Sequence, residues 1–256
     1  MRPYRFGAVA GFAPDAQTWT GIARRSEELG FDTLLVPDTH RTFSPFAAAA
    51  VAATVTTTLK VGTYVLASPL RTPAAVAWET STLRTLTGGR FELGLGAGRP
   101  DSEQDAARLG VPFGTPGERL ARVAETIDLV EDVPILLAAS GPAALRLAAG
   151  KADTVALAVP PHATEEQLAA KVDELYELAG DRFGELELAM NLAAVGDEVP
   201  AWLGPVREGV GLLRGSVTEM ADTLRRRRDK LGISYVSVNA QFLTQFAPVI
   251  ARLAGT

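Results

Sequence analysis

Short apolar runs alternate along this chain with stretches in which apolar residues recur every three or four positions. The runs have the length of strands and the stretches the length of helices. Strands are predicted at residues 6–11, 33–37, 60–66, 91–95, 134–138, 154–159, 186–195 and 235–239. After the first, Trp19, Ile22, Ala23, Ser26 and Leu29 share one helical face that Asp15 can cap. Further helices are predicted at 45–55, 72–86, around Leu120–Val130, from Pro142 to about Ala149, at 165–178, at 217–231 behind Ser216, and up to about Leu253. Residues 197–213, rich in proline and glycine, carry no clear pattern.

The strands read as continuous apolar runs rather than alternating ones, the pattern of strands covered on both faces in a parallel sheet. Eight strand–helix units in 256 residues predict a (β/α)8 TIM barrel spanning 1–256 as a single domain. A doubly wound open sheet would carry its phosphate fingerprint after the first strand, where this chain has Phe12-Ala13-Pro14-Asp15.

Composition narrows the function. The formal net charge of −5 argues against a nucleic-acid partner. There is no cysteine, so no disulfide, thiolate metal site or thiol nucleophile is available. His40 and His162 are the only histidines, too few for a multi-histidine metal site. No apolar stretch reaches the roughly 20 residues of a membrane span, and the first residues lack a signal-peptide core, so a soluble cytoplasmic protein is expected.

The active site of such a barrel forms where the strands end. Position therefore nominates Asp38, Thr39 and His40, then Ala67, Ser68 and Arg71, then Gly96, Gly98, Arg99, Asp101 and Glu103, then Ser140 and Gly141, then His162, Asn239 and Gln241. Gly88-Gly89-Arg90-Phe91-Glu92-Leu93-Gly94-Leu95-Gly96-Ala97-Gly98 reads as a turn, a buried strand and a glycine-lined exit, a surface that a large planar molecule can approach closely. Ser140-Gly141 opens a helix, where free N–H groups and the helix dipole favour an anion; the same residues also suit a plain N-cap before Pro142. His40 can donate a proton or cap a loop. Arg99 can meet a phosphate or carboxylate, or pair with Asp101 or Glu103. Arg225-Arg226-Arg227-Arg228 lies on a helix with Val217, Met220, Ala221 and Leu224 on its apolar face, and is read as solvated outer surface.

The chain resembles the bacterial luciferase-like family of flavin- and deazaflavin-dependent oxidoreductases. The resemblance lies in Phe31–Asp38, in Gly62-Thr63-Tyr64-Val65 with Arg71-Thr72-Pro73, in Leu86–Gly98, in Ala138-Ala139-Ser140-Gly141-Pro142, and in Leu213-Arg214-Gly215-Ser216-Val217. It is closest to the branch using the deazaflavin coenzyme F420. It implies a ring at the barrel mouth with Asp38 near the ring's polar edge and a non-proline cis peptide at Tyr64-Val65 beneath it. It implies a phosphate held by Ser140 and Gly141, and a substrate exchanging hydride with the ring. The candidate cofactor residues are Asp38, Tyr64, Val65, Ala67, Gly96, Ala97, Gly98, Arg99, Ala139, Ser140 and Gly141. The candidate catalytic residues are His40, Asp38, Arg99 and Glu103. A small-molecule substrate and a homodimer, built on apolar helices such as that of Ala47–Ala53, are also implied.

The chain departs from the family's pattern in three places. Thr39 stands where relatives often place a histidine, and His40 follows it. Arg99 occupies a place where relatives often carry an acid or amide. Val130-Glu131-Asp132-Val133-Pro134 joins the fourth helix to the fifth strand almost directly, without the usual long excursion, which predicts a more open site. Two further readings therefore accompany the F420 oxidoreductase: a monooxygenase using reduced FMN, and a trimmed relative that binds a cofactor without catalysis.

Overall fold

The computed structural model describes residues 2–255. Among the described residues, eleven strands form in chain order: β1 Arg5–Val9, β2 Thr33–Val36, β3 Lys60–Thr63, β4 Leu66–Ala67, β5 Phe91–Gly96, β6 Ile135–Ala139, β7 Thr154–Leu157, β8 Glu187–Leu192, β9 Ala194–Val195, β10 Leu212–Leu213 and β11 Ile233–Asn239. The helices are α1 Ala16–Glu28, α2 Pro45–Thr54, α3 Pro73–Leu86, α4 Ser102–Arg108, α5 Pro116–Leu129, α6 Pro142–Lys151, α7 Glu165–Ala179, α8 Val217–Leu231 and α9 Leu243–Leu253.

Eight strands close a parallel barrel in the order β1, β2, β3, β5, β6, β7, β8 and β11, with β11 returning to β1. This is the predicted (β/α)8 TIM barrel. The connection from α5 to β6 is as short as the sequence implied, running from Leu129 to Ile135. No helix among the described residues is long and apolar enough to cross a membrane.

Helix starts follow local chemistry. Asp15, Thr72, Thr115, Thr164 and Ser216 each accept a backbone N–H of the helix they precede. The main core lies between the barrel and its helices and includes Leu34, Val61, Leu93, Leu137, Val155, Leu188 and Val236. A smaller cluster fills the barrel itself, with Leu35, Leu136, Ala156, Ala189 and Tyr235.

Below that cluster the barrel floor is ionic. Arg5 reaches Glu92 at 2.6 Å and Glu187 at 2.7 Å, Lys60 reaches Glu92 at 2.8 Å, and Thr154 donates to Glu187 at 2.9 Å. The Arg5 guanidinium also lies 4.4 Å from the centre of the Tyr235 ring. The N-terminal end is thus a charge-balanced network of the barrel's own side chains, and ligands in this fold bind at the opposite end.

Four local expectations need correction. The third predicted strand breaks after Thr63 and resumes as β4. The seventh divides into β8 and β9, and β9 pairs with β10, which comes from the stretch that carried no pattern. Helix α4 was not foreseen, because Ser102–Arg108 has no apolar stripe and buries only Ser102 and Ala106. The arginine run is not all outer surface. Arg227 is buried and donates to Val210 O at 3.0 Å and to Glu165 at 2.7 Å. The Arg228 guanidinium lies 4.3 Å from the centre of the Tyr4 ring.

Glu27, at the end of α1, accepts the backbone N–H groups of Thr57, Thr58 and Leu59 at 2.9, 2.6 and 2.9 Å. These bonds offset its desolvation and hold the carboxyl down at about 2, against the usual 4.5. A carboxyl lowered on folding adds stability that is full above pH 4.5 and is lost as pH falls through about 2. Glu27→Gln should therefore cost about 1 kcal/mol at pH 7. In urea melts across pH, the difference from the parent protein should shrink steadily below pH 4.5.

Candidate active site

The site is built on a bulge in the barrel wall. Strand β3 pairs with β5 as far as Gly62–Glu92, and pairing resumes as Leu66–Leu95 on β4. That is four steps on one side against three on the other, so one residue is extra and the chain bows inward, where Tyr64 and Val65 pack on the apolar filling of the barrel. Thr63 spans the gap: its hydroxyl donates to Gly94 O at 2.7 Å and accepts from Gly94 N at 2.9 Å. A Cβ on residue 94 would lie 1.9 Å from Thr63 O, so only glycine fits. The bulge carries the Tyr64–Val65 peptide, which is cis, as the resemblance implied. Burial pushes the Tyr64 hydroxyl up in pKa, partly offset by its hydrogen bond with the Ser237 side chain.

Asp38, at the end of β2, fixes the far side of the bulge. Its carboxylate is 5% exposed, accepts from Ala67 N at 3.1 Å and meets Arg71 at 2.5 Å. Arg71 lies 4.0 Å from Glu79, whose carboxyl burial pushes up, against the pull of Arg71. The Asp38 carboxylate is thus committed to Ala67 and Arg71.

A cavity of about 260 Å3 opens over these residues at the strands' C-terminal ends. It is lined by Asp38, Tyr64, Val65, Ala67, Gly96, Ala97, Gly98, Arg99 and Ser140, all nominated from sequence, together with Pro37, Thr39, Ser102, Ala138, Ala144 and Ala158. The glycine exit and the start of α6 therefore share one rim. A Cβ at Gly96 would come within 2.7 Å of Val65 Cγ2, so a side chain there would crowd the bulge. Arg119, which sequence reading passed over, draws the Ala97 carbonyl toward itself at 2.8 Å. No periodic or motif signal marked it.

Helix α6 starts at Gly141 with Pro142 in its first turn and no side-chain cap. Its first backbone bond runs from Leu145 N to Gly141 O at 2.9 Å, so the N–H groups of Ala143 and Ala144 stay open to an anion. Both signs of fit for a ring with a phosphate are present: a flat glycine-lined wall and an uncapped helix start.

Four of the candidate cofactor and catalytic residues do not line the cavity, and neither do Ser68, Arg71, Asp101, His162, Asn239 and Gln241. His40 is exposed and gives its backbone N–H to Asp105 at 3.2 Å; the one-residue offset carries it past the mouth. Glu103 is exposed on α4. Ala139 is fully buried and faces the helices, leaving the inward place to Ala138. Gly141 caps α6. Arg99 stays at the rim, paired at 3.2 Å with Asp101 in a largely solvated contact. Among the described residues, no cluster of three metal-ligating side chains occurs.

The family described as luciferase-like monooxygenase matches residues 4–133, and the chain belongs to it. An F420-dependent glucose-6-phosphate dehydrogenase of Nakamurella multipartita is 30% identical over 233 residues, covering 74% of this chain and 67% of that protein. A 4-hydroxyprotoasukamycin monooxygenase of Streptomyces nodosus subsp. asukaensis is 33% identical over 127 residues, covering 47% and 33%. Two further F420-dependent glucose-6-phosphate dehydrogenases, of Intrasporangium calvum and Beutenbergia cavernae, are each matched over 50% of their own length, so the chain spans half to two-thirds of these dehydrogenases. Among solved structures, an F420-dependent secondary alcohol dehydrogenase superposes with a TM-score of 0.77 at 18% identity, covering 98% of this chain and 99% of that one. The coenzyme F420-dependent tetrahydromethanopterin reductase of Methanopyrus kandleri gives 0.79 at 16%, covering 98% of each. At these identities the structures establish the shared fold.

Asp38→Asn should remove the charge that holds Arg71 and weaken the grip on Ala67. A loss of about 3 kcal/mol is expected in chemical denaturation. Arg99→Ala, which breaks only a solvated pair, should change stability by less than about 0.5 kcal/mol.

Proposed function

We propose that this chain is an oxidoreductase that moves a hydride between coenzyme F420 and a small organic substrate. The observation that carries this reading is the single cavity joining the glycine exit of β5, the bulge at Tyr64–Val65 and the uncapped start of α6. The relatives named for F420 support the choice of cofactor. The relative named as a monooxygenase keeps FMN as the second reading.

When bound, F420 supplies a ring carbon that accepts or gives a hydride. The protein's part is placement. Tyr64 and Val65 would form the wall beneath the ring, and Gly96 and Gly98 would let it lie close to the backbone. Ser140 and the N–H groups of Ala143 and Ala144 receive the phosphate. Asp38 holds the wall in place through Ala67 and Arg71. An alcohol held beside the ring would give its C–H hydride to that ring carbon and lose its O–H proton, leaving a carbonyl. With His40 turned outward and Asp38 paired, that proton passes to water at the open mouth. Catalysis should then lack a histidine signature: His40→Ala should leave the rate within about threefold.

Titration with F420 and with FMN tests the cofactor directly through their fluorescence. F420 should bind, and Ser140→Asp, which sets a like charge at the phosphate's place on an exposed residue, should weaken it roughly tenfold. Binding of FMN with no binding of F420 would overturn the reading.

The protein's partner is a second copy of itself in this proposal. Val51 on α2 and Trp78 and Leu86 on α3 are exposed apolar side chains, Trp78 to 75%. Light scattering should give twice the chain mass, and Trp78→Glu should give the single-chain mass; a monomeric parent protein would contradict this.

A further inference from the structure

A second cavity, of about 470 Å3, opens beside the first where β1 and β11 end. The two cavities share Pro37. Its walls are largely apolar, from Val9, Ile22 of α1 and Phe12. Phe12 is 65% exposed. It is nevertheless anchored. Its ring centre lies 5.7 Å from that of Phe43, which meets Trp19 edge-on at 5.4 Å. Trp19 is buried and donates its indole N–H to Ala48 O at 3.1 Å. Phe12 therefore ends an ordered aromatic row, with a ring face left over at the cavity.

The polar groups there are few and neutral. Thr42 is already committed, donating to Pro37 O at 2.9 Å and accepting from Thr39 N at 3.1 Å. Asn239 uses Oδ1 to accept from Gln241 N at 3.0 Å, which leaves its Nδ2 to donate to a ligand. Among the described residues, no charged side chain lines this cavity. The rim arginine of the neighbouring cavity, Arg99, does not line this one. A phosphate dianion brought here would lose water and gain no cation in return, which is strongly unfavourable.

We infer that this second cavity is the substrate subsite and that it takes an uncharged molecule. Such a molecule has an aromatic or alicyclic body stacked on Phe12 and a carbonyl or hydroxyl oxygen that accepts from Asn239. This inference rests on the reading that the first cavity holds the deazaflavin ring, because the shared Pro37 then brings the substrate to the ring's edge. It also separates this chain from relatives named for a sugar phosphate: the fold and the cofactor cavity are kept, and the substrate's charge is not.

The test uses acetophenone and glucose 6-phosphate as probes. Saturation-transfer NMR is recorded on the full chain alone and on the chain loaded with F420. Acetophenone should receive saturation in both forms, and glucose 6-phosphate in neither. Phe12→Ala and Asn239→Asp should each weaken acetophenone binding roughly 5- to 10-fold. The second substitution keeps the oxygen that accepts from Gln241 N, so the fold is preserved. Neither change should alter F420 affinity. Saturation of glucose 6-phosphate would overturn the inference. So would acetophenone binding that ignores both substitutions, or no acetophenone binding in any form. If F420 fails to bind while acetophenone still depends on Phe12 and Asn239, the subsite stands and the cofactor reading falls.

Discussion

One extra residue between two strands organises the mouth of this barrel. Because β3 and β4 together spend one more residue than β5 over the same span, the wall cannot remain fully backbone-paired there. The unpaired groups of Gly94 must still find partners. Thr63 supplies them with one hydroxyl, acting once as donor and once as acceptor. What bows inward as a result is the Tyr64–Val65 segment, which packs on the barrel's apolar filling. The glycines of β5 follow from the same bulge: a side chain at residue 94 or 96 would collide with it.

Electrostatics then hold this geometry from outside. Asp38 ties the end of the bulge to β2, and Arg71 pairs with that carboxylate. The ionic floor of Arg5, Lys60, Glu92 and Glu187 fixes the other end of the same strands. The mouth is therefore a preformed surface between two rigid charge networks. That is what a cofactor site needs, since a wall that must first be ordered costs affinity.

The alternation of periods made the barrel legible, because strands covered on both faces leave a plain signature in sequence. The glycine exit and the start of α6 were legible as chemistry, and they do meet at one cavity. The family resemblance implied the cis peptide at Tyr64–Val65 but not the bulge that carries it, since nothing in the pattern of 60–66 marks a break in an apolar run. His40 shows the limit of reading positions on a loop: a single offset residue carried it out to solvent. Arg227 shows a signal that could have been used. It lies seven residues after Met220 and three after Leu224, on the helix's inward face, and the neighbouring arginines masked that spacing. Phe12 and Asn239 were invisible as a pair, because the contact between the ends of the first and last strands exists only once the barrel closes.

The central claim is that the bulge, the glycine exit and the start of α6 act together as one binding surface. Hydrogen–deuterium exchange with and without F420 tests it most directly. The account predicts slowed exchange confined to residues 64–67, 96–99 and 140–144. Protection at only one of these segments, or at the ionic floor instead, would contradict it.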